Sequence, residues 1–385
     1  MLFMRILIAA GGSGGHIFPA IALARSLEER DSCLGISFVG SNKALDKRIF
    51  AKENFPYFLM SANKLPYRAT LRMFLFFVKL SFDIMKAFLI IASYRPDVIV
   101  GFGGYVSWPV IFAGYIFRIP KIIHEQNVIP GRSNKILFKF ADRIALSFEE
   151  TNKYLDARQE TKGVFTGNPI RASLVSVKGG PGSLPIGDRQ LGIRKLGLEE
   201  GKFTILVVGG SQGSHFLNKT FIDAIFKLDE NTREALQIIH ITGIKDYEWA
   251  SKEYARMGME NRVYSFIDRI EDAYSASDLI VTRSGASAIF EIAFFGKPMV
   301  LVPYPFANGH QAENAAVFSR KGAAITISEE KLSDAIFREM LLELLNDKVR
   351  LNDMAASAKL LSVPEASDNL AGHVLELARK GYSCY

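Results

Sequence analysis

Cysteine is scarce in this 385-residue sequence, and the two that occur, Cys33 and Cys384, lie at opposite ends of the chain. This scarcity excludes a disulfide framework and a cysteine-based zinc site, and it favours a reducing compartment. With 49% hydrophobic and 23% charged residues, the composition is that of an ordinary soluble protein rather than of a disordered or coiled-coil chain. The length exceeds the usual span of one hydrophobic core, so we expect two domains.

Long uninterrupted hydrophobic runs are also missing. Arg5 interrupts the apolar N-terminus, and a glycine cluster follows in place of a cleavage site, so this segment is predicted to be a buried first strand rather than a signal peptide. The other long apolar stretch, residues 71–91, contains Arg72, Lys79, Asp83 and Lys86. These charges are too many for a membrane-spanning helix.

The net charge of +7 is unevenly distributed, with +9 in residues 1–168 and −2 in the remainder. A basic N-terminal half fits a nucleic acid, an anionic membrane surface or a phosphate-bearing substrate. No nucleic-acid-binding motif accompanies the charge. We therefore expect no nucleic-acid partner.

Short apolar runs, each followed by a turn and then by a helical pattern, recur along the chain. The runs predict strands buried on both faces and therefore parallel sheets, and the pattern restarts at Phe203. The expected fold class is α/β, with two doubly wound domains over residues 1–168 and 169–364. The last helical pattern, residues 365–385, is expected to pack back onto the first domain.

Both predicted domains open with a strand that runs into a glycine loop, at residues 11–15 and 209–213. Such a loop exposes backbone N–H groups beside a helix N-terminus and therefore suits a phosphate. A single loop is equally well explained as a tight turn, whereas a pair favours a ligand.

Three other motifs compete for these loops. A dinucleotide fingerprint would need a third glycine where Ile17 stands, and a P-loop would need a lysine that neither loop has. Both loops match the Gly-x-Ser-x-Gly nucleophile elbow. Their duplication and their position at the start of each sheet argue against a hydrolase.

A third glycine turn, at residues 283–285, precedes a predicted helix in the second half. It places a further helix N-terminus and Arg283 at the edge of the same sheet, which suits a diphosphate. Glu291 on that helix would accept two ribose hydroxyls, or it is a solvated helix acid. Gln311 and Asn314 share a helix face and suit sugar hydroxyls, although surface amides look the same.

Seven segments in this order resemble the MurG family, which transfers N-acetylglucosamine to the undecaprenyl-linked muramyl-pentapeptide precursor of peptidoglycan. They are GGSGGHIFPA (11–20), GFGGYVS (101–107), HEQN (124–127), GNPIR (167–171), GGSQG (209–213), RSGA (283–286) and HQAENA (310–315).

The resemblance implies a GT-B fold, with two Rossmann-like domains facing a central cleft, and an inverting β-N-acetylglucosaminyltransferase. The donor UDP-N-acetylglucosamine would bind mainly to the C-terminal domain, and the lipid acceptor to the N-terminal domain. The implied setting is peptidoglycan synthesis, cell shape and cell division at the cytoplasmic face of the bacterial inner membrane, with the anionic membrane surface and cell-wall synthesis proteins as partners.

Site residues follow from the resemblance by position. The donor-binding residues implied are Ser13, Gly14, Gly15, Asn127, Arg171, Ser211, Gln212, Gly213, Ile267, Arg283, Ala286, Ser287, Ala288, Glu291, Gln311 and Asn314. The acceptor residues implied are Tyr105, His124, Glu125 and Asn127. Trp108, where the family usually has glycine, and the glycine-rich stretch 178–190 depart from the pattern and bear on acceptor detail.

The transfer requires a base for the acceptor hydroxyl and stabilisation of the departing diphosphate. His16 is the first candidate base because an imidazole titrates near neutral pH, although a diphosphate contact or a cap explains it equally well. Glu125 and His124 are the alternatives. Since no Asp-x-Asp pair occurs in the sequence, we expect no metal and no other cofactor.

The apolar stretch 71–91 predicts a membrane contact on its own pattern. On a helix, its four charged residues fall within about a 60° arc bordered by aromatic side chains, which suits anionic lipid. A buried helix with one solvated edge is the alternative. The candidate membrane residues are Arg68, Arg72, Leu75, Phe76, Lys79, Phe82, Lys86, Lys135 and Lys139.

Other functions stay open at this point. A glycolipid transferase with a diacylglycerol acceptor and a UDP-sugar epimerase are neighbours with a similar fold. A non-catalytic UDP-sugar-binding protein at the membrane would keep the same donor motifs.

Overall fold

The computed structural model of the chain describes residues 4–61, 71–175, 188–210, 213–306 and 308–382. The chain divides into two compact units, one formed by residues 1–172 and 363–385 and the other by residues 173–362. The sequence pattern predicts the corresponding boundaries at residues 168 and 364. Each unit is built on an all-parallel sheet, and the α/β class predicted from the sequence is confirmed.

The sheet of the first unit has seven strands in the order β3-β2-β1-β4-β5-β6-β7. Its strands are β1 Arg5–Ala9, β2 Gly35–Ser41, β3 Tyr57–Met60, β4 Val98–Gly101, β5 Lys121–Glu125, β6 Arg143–Leu146 and β7 Gly163–Phe165. The accompanying helices are α1 Gly14–Arg30, α2 Ala44–Glu53, α3 Leu71–Tyr94, α4 Gly104–Ile116, α5 Arg132–Leu137, the 3-10 helix Glu149–Tyr154, α6 Ala157–Glu160 and, at the boundary, α7 Ala172–Val175.

Helices cover both faces of this sheet, which is why its central strands are continuously apolar. Ile6 and Ile8 of β1 point into one core, while Leu7 and Ala9 point into the core on the opposite face. The alternation follows from the two-residue period of a strand.

The last helix, α17 Ala366–Tyr382, belongs to the first unit and packs on α1. Leu370 and Val374 enter the same core as Ile6. At the helix start, the Ser26 hydroxyl donates to the Asp368 carboxylate at 2.7 Å.

The sheet of the second unit has six strands in the order β10-β9-β8-β11-β12-β13. Its strands are β8 Phe203–Val208, β9 Leu236–Ile241, β10 Asn261–Tyr264, β11 Leu279–Thr282, β12 Met299–Leu301 and β13 Ala324–Thr326. The helices are α8 Arg189–Leu196, α9 His215–Phe226, α10 Glu230–Glu234, α11 Tyr247–Met257, α12 Ile270–Ala276, α13 Ala286–Phe294, α14 His310–Arg320, α15 Asp334–Asn346 and α16 Lys348–Leu361.

None of the helices within the described ranges is both long and apolar enough to cross a membrane.

Candidate active site

The strand order of the first sheet reverses between β1 and β4, which are hydrogen-bonded neighbours. In an open parallel sheet, the loops that leave the carboxyl ends of such a strand pair diverge and form a crevice. Here those loops are the first glycine loop, residues 11–15, and residues 102–105. The end of β5 contributes His124 and Glu125 beside them.

The first glycine loop is held by the start of α2. The buried carboxylate of Asp46 accepts the backbone N–H of Gly12, with an N–O distance of 2.9 Å to Oδ2, and also accepts the Ser41 hydroxyl at 2.6 Å. On the other side of the same glycine, the Lys43 ammonium donates to the Gly12 carbonyl at 3.0 Å. Sequence reasoning missed Asp46, because an acid in the first turn of a helix is ordinarily a solvated dipole partner.

His16 lies at the first turn of α1 and is only partly buried. Its Nδ1 atom is 3.2 Å from the Ser13 hydroxyl and 3.4 Å from the Gly11 carbonyl oxygen. Desolvation lowers the pKa of His16 below its ordinary value of 6.5, although the carboxylates of Glu125 and Asp46 oppose that shift. The imidazole is therefore neutral at pH 7 and able to accept a proton.

Two consecutive glycines bring the loop after β4 against His16. Gly103 and Gly104 both have positive φ, +86° and +72°. A Cβ atom on Gly104 would lie 3.2 Å from the Gly11 carbonyl oxygen and 3.4 Å from His16 Nδ1. Glycine is thus required both by the backbone conformation and by the close approach.

Glu125 is buried, and its carboxylate organises the loop after β5. It accepts the backbone N–H groups of Asn127 and Gly131, at 2.9 and 3.0 Å, and the side-chain amides of Asn127 and Asn134, at 3.1 and 2.8 Å. These four bonds use its acceptor capacity. The arrangement favours a positioning role over proton abstraction.

His124 is buried and neutral. Burial lowers its pKa to about 4, its Nε2 atom donates to the Gly167 carbonyl at 3.3 Å, and its Nδ1 atom accepts from the Gln126 amide at 3.2 Å. Both ring nitrogens are used within the protein. Of the three candidate bases, His124 and Glu125 are buried, whereas His16 is partly exposed.

Three more of the predicted site residues, Tyr105, Asn127 and Arg171, belong to the first unit. Tyr105 is exposed, the Asn127 carbonyl accepts from Thr151 at 3.2 Å, and the Arg171 guanidinium lies 4.6 Å from the centre of the Phe18 ring. Trp108 stacks on Phe112 and packs against the core between the sheet and α4.

In the second unit the strand order reverses between β8 and β11. The second glycine loop follows β8, but Ser211 and Gln212 lie outside the described residues. Gly213 has φ +76°, and a Cβ atom there would lie 2.2 Å from the Thr242 carbonyl oxygen. The loop after β8 therefore packs directly on the loop after β9.

A buried polar chain that the sequence did not predict supports this contact. The Asn218 amide donates to the Thr242 carbonyl at 2.9 Å and to Asp246 at 2.8 Å, and its oxygen accepts from His240 Nε2 at 3.1 Å. His240 Nδ1 in turn accepts the Tyr254 hydroxyl at 2.8 Å. Burial lowers the pKa of His240 to about 3, so the chain is uncharged at that ring.

Arg283 joins the second glycine loop region to the loop after β12. Its guanidinium donates to the Ser214 hydroxyl at 2.6 Å and to the Val302 carbonyl at 3.1 Å. It also forms an ion pair with Glu329 at 2.7 Å. Ser214 caps α9, so Arg283 stabilises a helix N-terminus whose N–H groups suit a phosphate.

The residues predicted to hold the sugar and ribose lie on α13 and α14. Glu291 is buried, and the Tyr274 hydroxyl donates to it at 3.2 Å; the solvated-acid alternative is therefore not what the structure shows. Asn314 is also buried and donates to the Ser284 carbonyl at 3.2 Å, while the Gln311 amide oxygen accepts the Tyr304 N–H at 2.9 Å. The two amides thus brace the turns around residues 284 and 304.

Of the other donor candidates, Gly14 and Ala286 begin α1 and α13, Gly15 is exposed, and Ser287, Ala288 and Ile267 are partly buried. Within the described ranges, no cluster of histidine, cysteine and acidic side chains has the arrangement of a metal site.

Helix α3 exposes Lys79 and Lys86 of the predicted charged arc together with a wider apolar face than predicted. Asp83, which the arc included, is buried and accepts the Ser61 hydroxyl at 2.6 Å. Phe82, Met85 and Leu89 are exposed by 72%, 60% and 65%. Beside them on this helix, the basic residues whose side chains are described are Lys79 and Lys86, and both are exposed.

The other candidate membrane residues lie elsewhere or are not described. The structure does not describe Arg68 or the side chains of Arg72 and Leu75. Phe76 is partly buried, and the exposed Lys135 and Lys139 lie on and just after α5.

Family models match both units of the chain. The glycosyltransferase family 28 N-terminal domain matches residues 6–146, and the glycosyltransferase family 28 C-terminal domain matches residues 204–370. The two matches identify the chain as a glycosyltransferase of family 28, in agreement with its fold and its paired glycine loops.

Relatives narrow the class. A UDP-N-acetylglucosamine–N-acetylmuramyl-(pentapeptide) pyrophosphoryl-undecaprenol N-acetylglucosamine transferase of Halothermothrix orenii is 35% identical over 383 residues, covering 98% of this chain and 100% of the relative. A Coxiella burnetii protein of the same name is 37% identical over 363 residues, covering 94% and 95%. The chain belongs to this family of transferases, the MurG family.

Solved structures agree with that assignment. The crystal structure of Acinetobacter baumannii MurG superposes with a TM-score of 0.74 at 26% identity, over 97% of this chain and 99% of that one. A Staphylococcus aureus MnaA–UDP co-structure has a TM-score of 0.69 at 15% identity, over 97% and 98%, and shares the fold. The predicted GT-B class is confirmed.

The contact between Gly104 and His16 gives a first prediction. Gly104→Ala should lower the melting temperature and shift the His16 ring resonances, because a left-handed alanine costs about 1 kcal/mol and its methyl group would displace Gly11 and His16. Gly258→Ala is the matched control, since its φ is +65° but nothing lies within 4 Å of the added Cβ. Equal melting temperatures for both variants and an unshifted His16 would contradict the contact.

Proposed function

We propose that the protein is an inverting transferase that moves N-acetylglucosamine from UDP-N-acetylglucosamine to the 4-hydroxyl of undecaprenyl-pyrophosphoryl-N-acetylmuramyl-pentapeptide, converting lipid I to lipid II. The observation that carries the proposal is the nearly full-length match to transferases of that name at 34–37% identity. The second unit would bind the donor, and the first unit would bind the acceptor.

Proton transfer is assigned to His16. The imidazole is neutral, partly accessible and lies at the first turn of α1 beside the glycine loop, whereas the rings or oxygens of His124 and Glu125 are bonded within the protein. In the proposed step, the acceptor oxygen forms a bond to the anomeric carbon as that carbon's bond to the UDP oxygen breaks. The hydroxyl proton passes to His16 Nε2, and the bonding pair leaves with UDP.

Stabilisation of the negative charge on the departing UDP is assigned to backbone N–H groups of the second unit. The N-termini of α9 and α13 follow the carboxyl ends of the adjacent strands β8 and β11, and oriented N–H groups stabilise a diphosphate without reorganising. Arg283 supports the first of these N-termini through Ser214. The proposal assigns no step to a metal ion, consistent with the sequence expectation.

Replacement of His16 tests the reaction and the base together. The wild type should transfer labelled N-acetylglucosamine to a short-chain lipid-linked muramyl-pentapeptide in EDTA, with an acid-side midpoint of the rate below pH 6.5, because burial lowers the pKa of His16 below that value. His16→Ala should lower kcat about 100-fold or more while UDP affinity measured by calorimetry stays unchanged.

His373→Ala is the control, since this histidine lies on α17 and contacts Arg143; it should retain wild-type kcat. Absence of transfer by the wild type would overturn the proposed reaction. A wild-type rate in His16→Ala would overturn only the assignment of the base.

The exposed face of α3 supports attachment to the cytoplasmic face of the inner membrane. Its apolar residues are continued by Tyr115, Ile116 and Phe117 at the end of α4, exposed by 43–52%, and Phe88 contacts Phe117 with 5.4 Å between ring centres. A contiguous cluster of large exposed apolar side chains is typical of an interaction surface. The lysines beside it favour an anionic lipid surface.

Vesicle binding tests this attachment. The double variant Phe82→Asp, Leu89→Asp should lose most of its cosedimentation with phosphatidylglycerol-containing vesicles, since two charges replace residues that would enter the interface. Leu360→Asp, at a position 85% exposed in the second unit, should bind like the wild type. Unchanged binding of the double variant would exclude this face as the membrane contact.

A further inference from the structure

Asp46 and His16 contact opposite ends of one peptide group. The N–H of Gly12 donates to the Asp46 carboxylate, at 2.9 Å to Oδ2 and 3.2 Å to Oδ1. The carbonyl of that same peptide belongs to Gly11 and lies 3.4 Å from His16 Nδ1. A carboxylate, a peptide group and an imidazole are thus linked in series.

The link selects one tautomer of His16. A carbonyl oxygen only accepts hydrogen bonds, so its contact with Nδ1 requires that this nitrogen bear the proton. The Ser13 hydroxyl, 3.2 Å from the same nitrogen, accepts in that arrangement as well. With Nδ1 protonated, the lone pair is at Nε2, where the proposed reaction needs it.

Asp46 is placed to hold the peptide in this orientation. The residue is fully buried, and its carboxylate is itself fixed by the Ser41 N–H at 2.8 Å and the Ser41 hydroxyl at 2.6 Å. Gly12 has φ +86°, which glycine adopts without strain, so its N–H can face the Asp46 carboxylate. Hydrogen bonds in series also polarise one another, so a carboxylate on the N–H makes the carbonyl a stronger acceptor.

We propose that Asp46 is a positioning residue for the transfer reaction, acting through the Gly11–Gly12 peptide to orient His16 and keep the proton on Nδ1. The catalytic consequence rests on the proposed function and on His16 as its base. The tautomer does not, because it is a property of the protein without substrate.

The charged and titratable groups around His16 set the direction of its pH response. Glu125 at the end of β5 and Asp46 on α2 raise its pKa, Lys43 before α2 lowers it, and His124 couples to it from β5. Removal of the Asp46 charge should therefore lower the pKa of His16 further.

Nitrogen NMR of histidine-labelled protein tests the tautomer directly. The wild type should show His16 protonated at Nδ1 near pH 7, and Ser13→Ala should keep that tautomer because the Gly11 carbonyl remains. Asp46→Asn should lower the pKa of His16 further, because a charge that favours the imidazolium is removed, and should introduce the Nε2-protonated form. An Nε2-protonated wild type, or a Ser13→Ala variant that switches tautomer, would overturn the proposal even if Asp46→Asn does not fold.

Kinetics separate positioning from a merely structural effect. Asp46→Asn should lower kcat about 10- to 100-fold with an unchanged KM for UDP-N-acetylglucosamine. In a His16→Ala background the same substitution should have no further effect on kcat, because its route of action is gone. Ser41→Ala, which removes one bond to the same carboxylate but leaves Gly12 bonded, should keep most of the wild-type kcat.

Additive losses in the double variant would show that Asp46 acts on stability or on another group, and would overturn the proposal. Absence of transfer by the wild type would instead refute the proposed function, and the tautomer measurement would still stand on its own.

Discussion

Parallel pairing of every strand in both sheets is the constraint on which the rest of the structure depends. It requires each chain connection to cross a face of the sheet, so helices cover both faces and the central strands are apolar throughout. Within each sheet, it also places the carboxyl ends of all strands on the same side. Residues far apart in sequence therefore lie together at the carboxyl ends of the strands: the first glycine loop, His16 and Glu125 in the first unit, and the second glycine loop and Arg283 in the second.

Buried polar groups then give those loops their shape. Asp46 and Glu125 in the first unit, and Arg283 and Asn314 in the second, each bond to a backbone group of a neighbouring loop. A buried charge or amide without such partners would be costly, so each of these residues is stable only while its loop keeps its conformation. Loops braced in this way present backbone N–H groups and His16 in a preorganised arrangement, which is what a transfer reaction requires.

The inner strands and the paired glycine loops were predictable from the sequence, because strands buried on both faces leave continuous apolar runs. Strands β3, β7, β10 and β13 lie at the lateral edges of the two sheets; they are short and less buried, and their apolar patterns are correspondingly weak. Asp46 was not predictable, since its partners become neighbours only in the fold. For α3 the exposed lysines and the bordering Phe82 were predictable, but spacing alone did not show that Asp83 is buried and bonds to Ser61, or that Met85 and Leu89 are exposed beside them.

The stereochemistry of the product tests the central claim, single-step transfer from the donor to a muramyl 4-hydroxyl, most directly. Proton NMR of the disaccharide formed from UDP-N-acetylglucosamine and a short-chain lipid-linked muramyl-pentapeptide should show a β-1,4 linkage, because attack opposite UDP inverts the anomeric carbon. An α linkage would contradict the single displacement. Free N-acetylglucosamine or an epimerised donor in place of the disaccharide would contradict transfer itself.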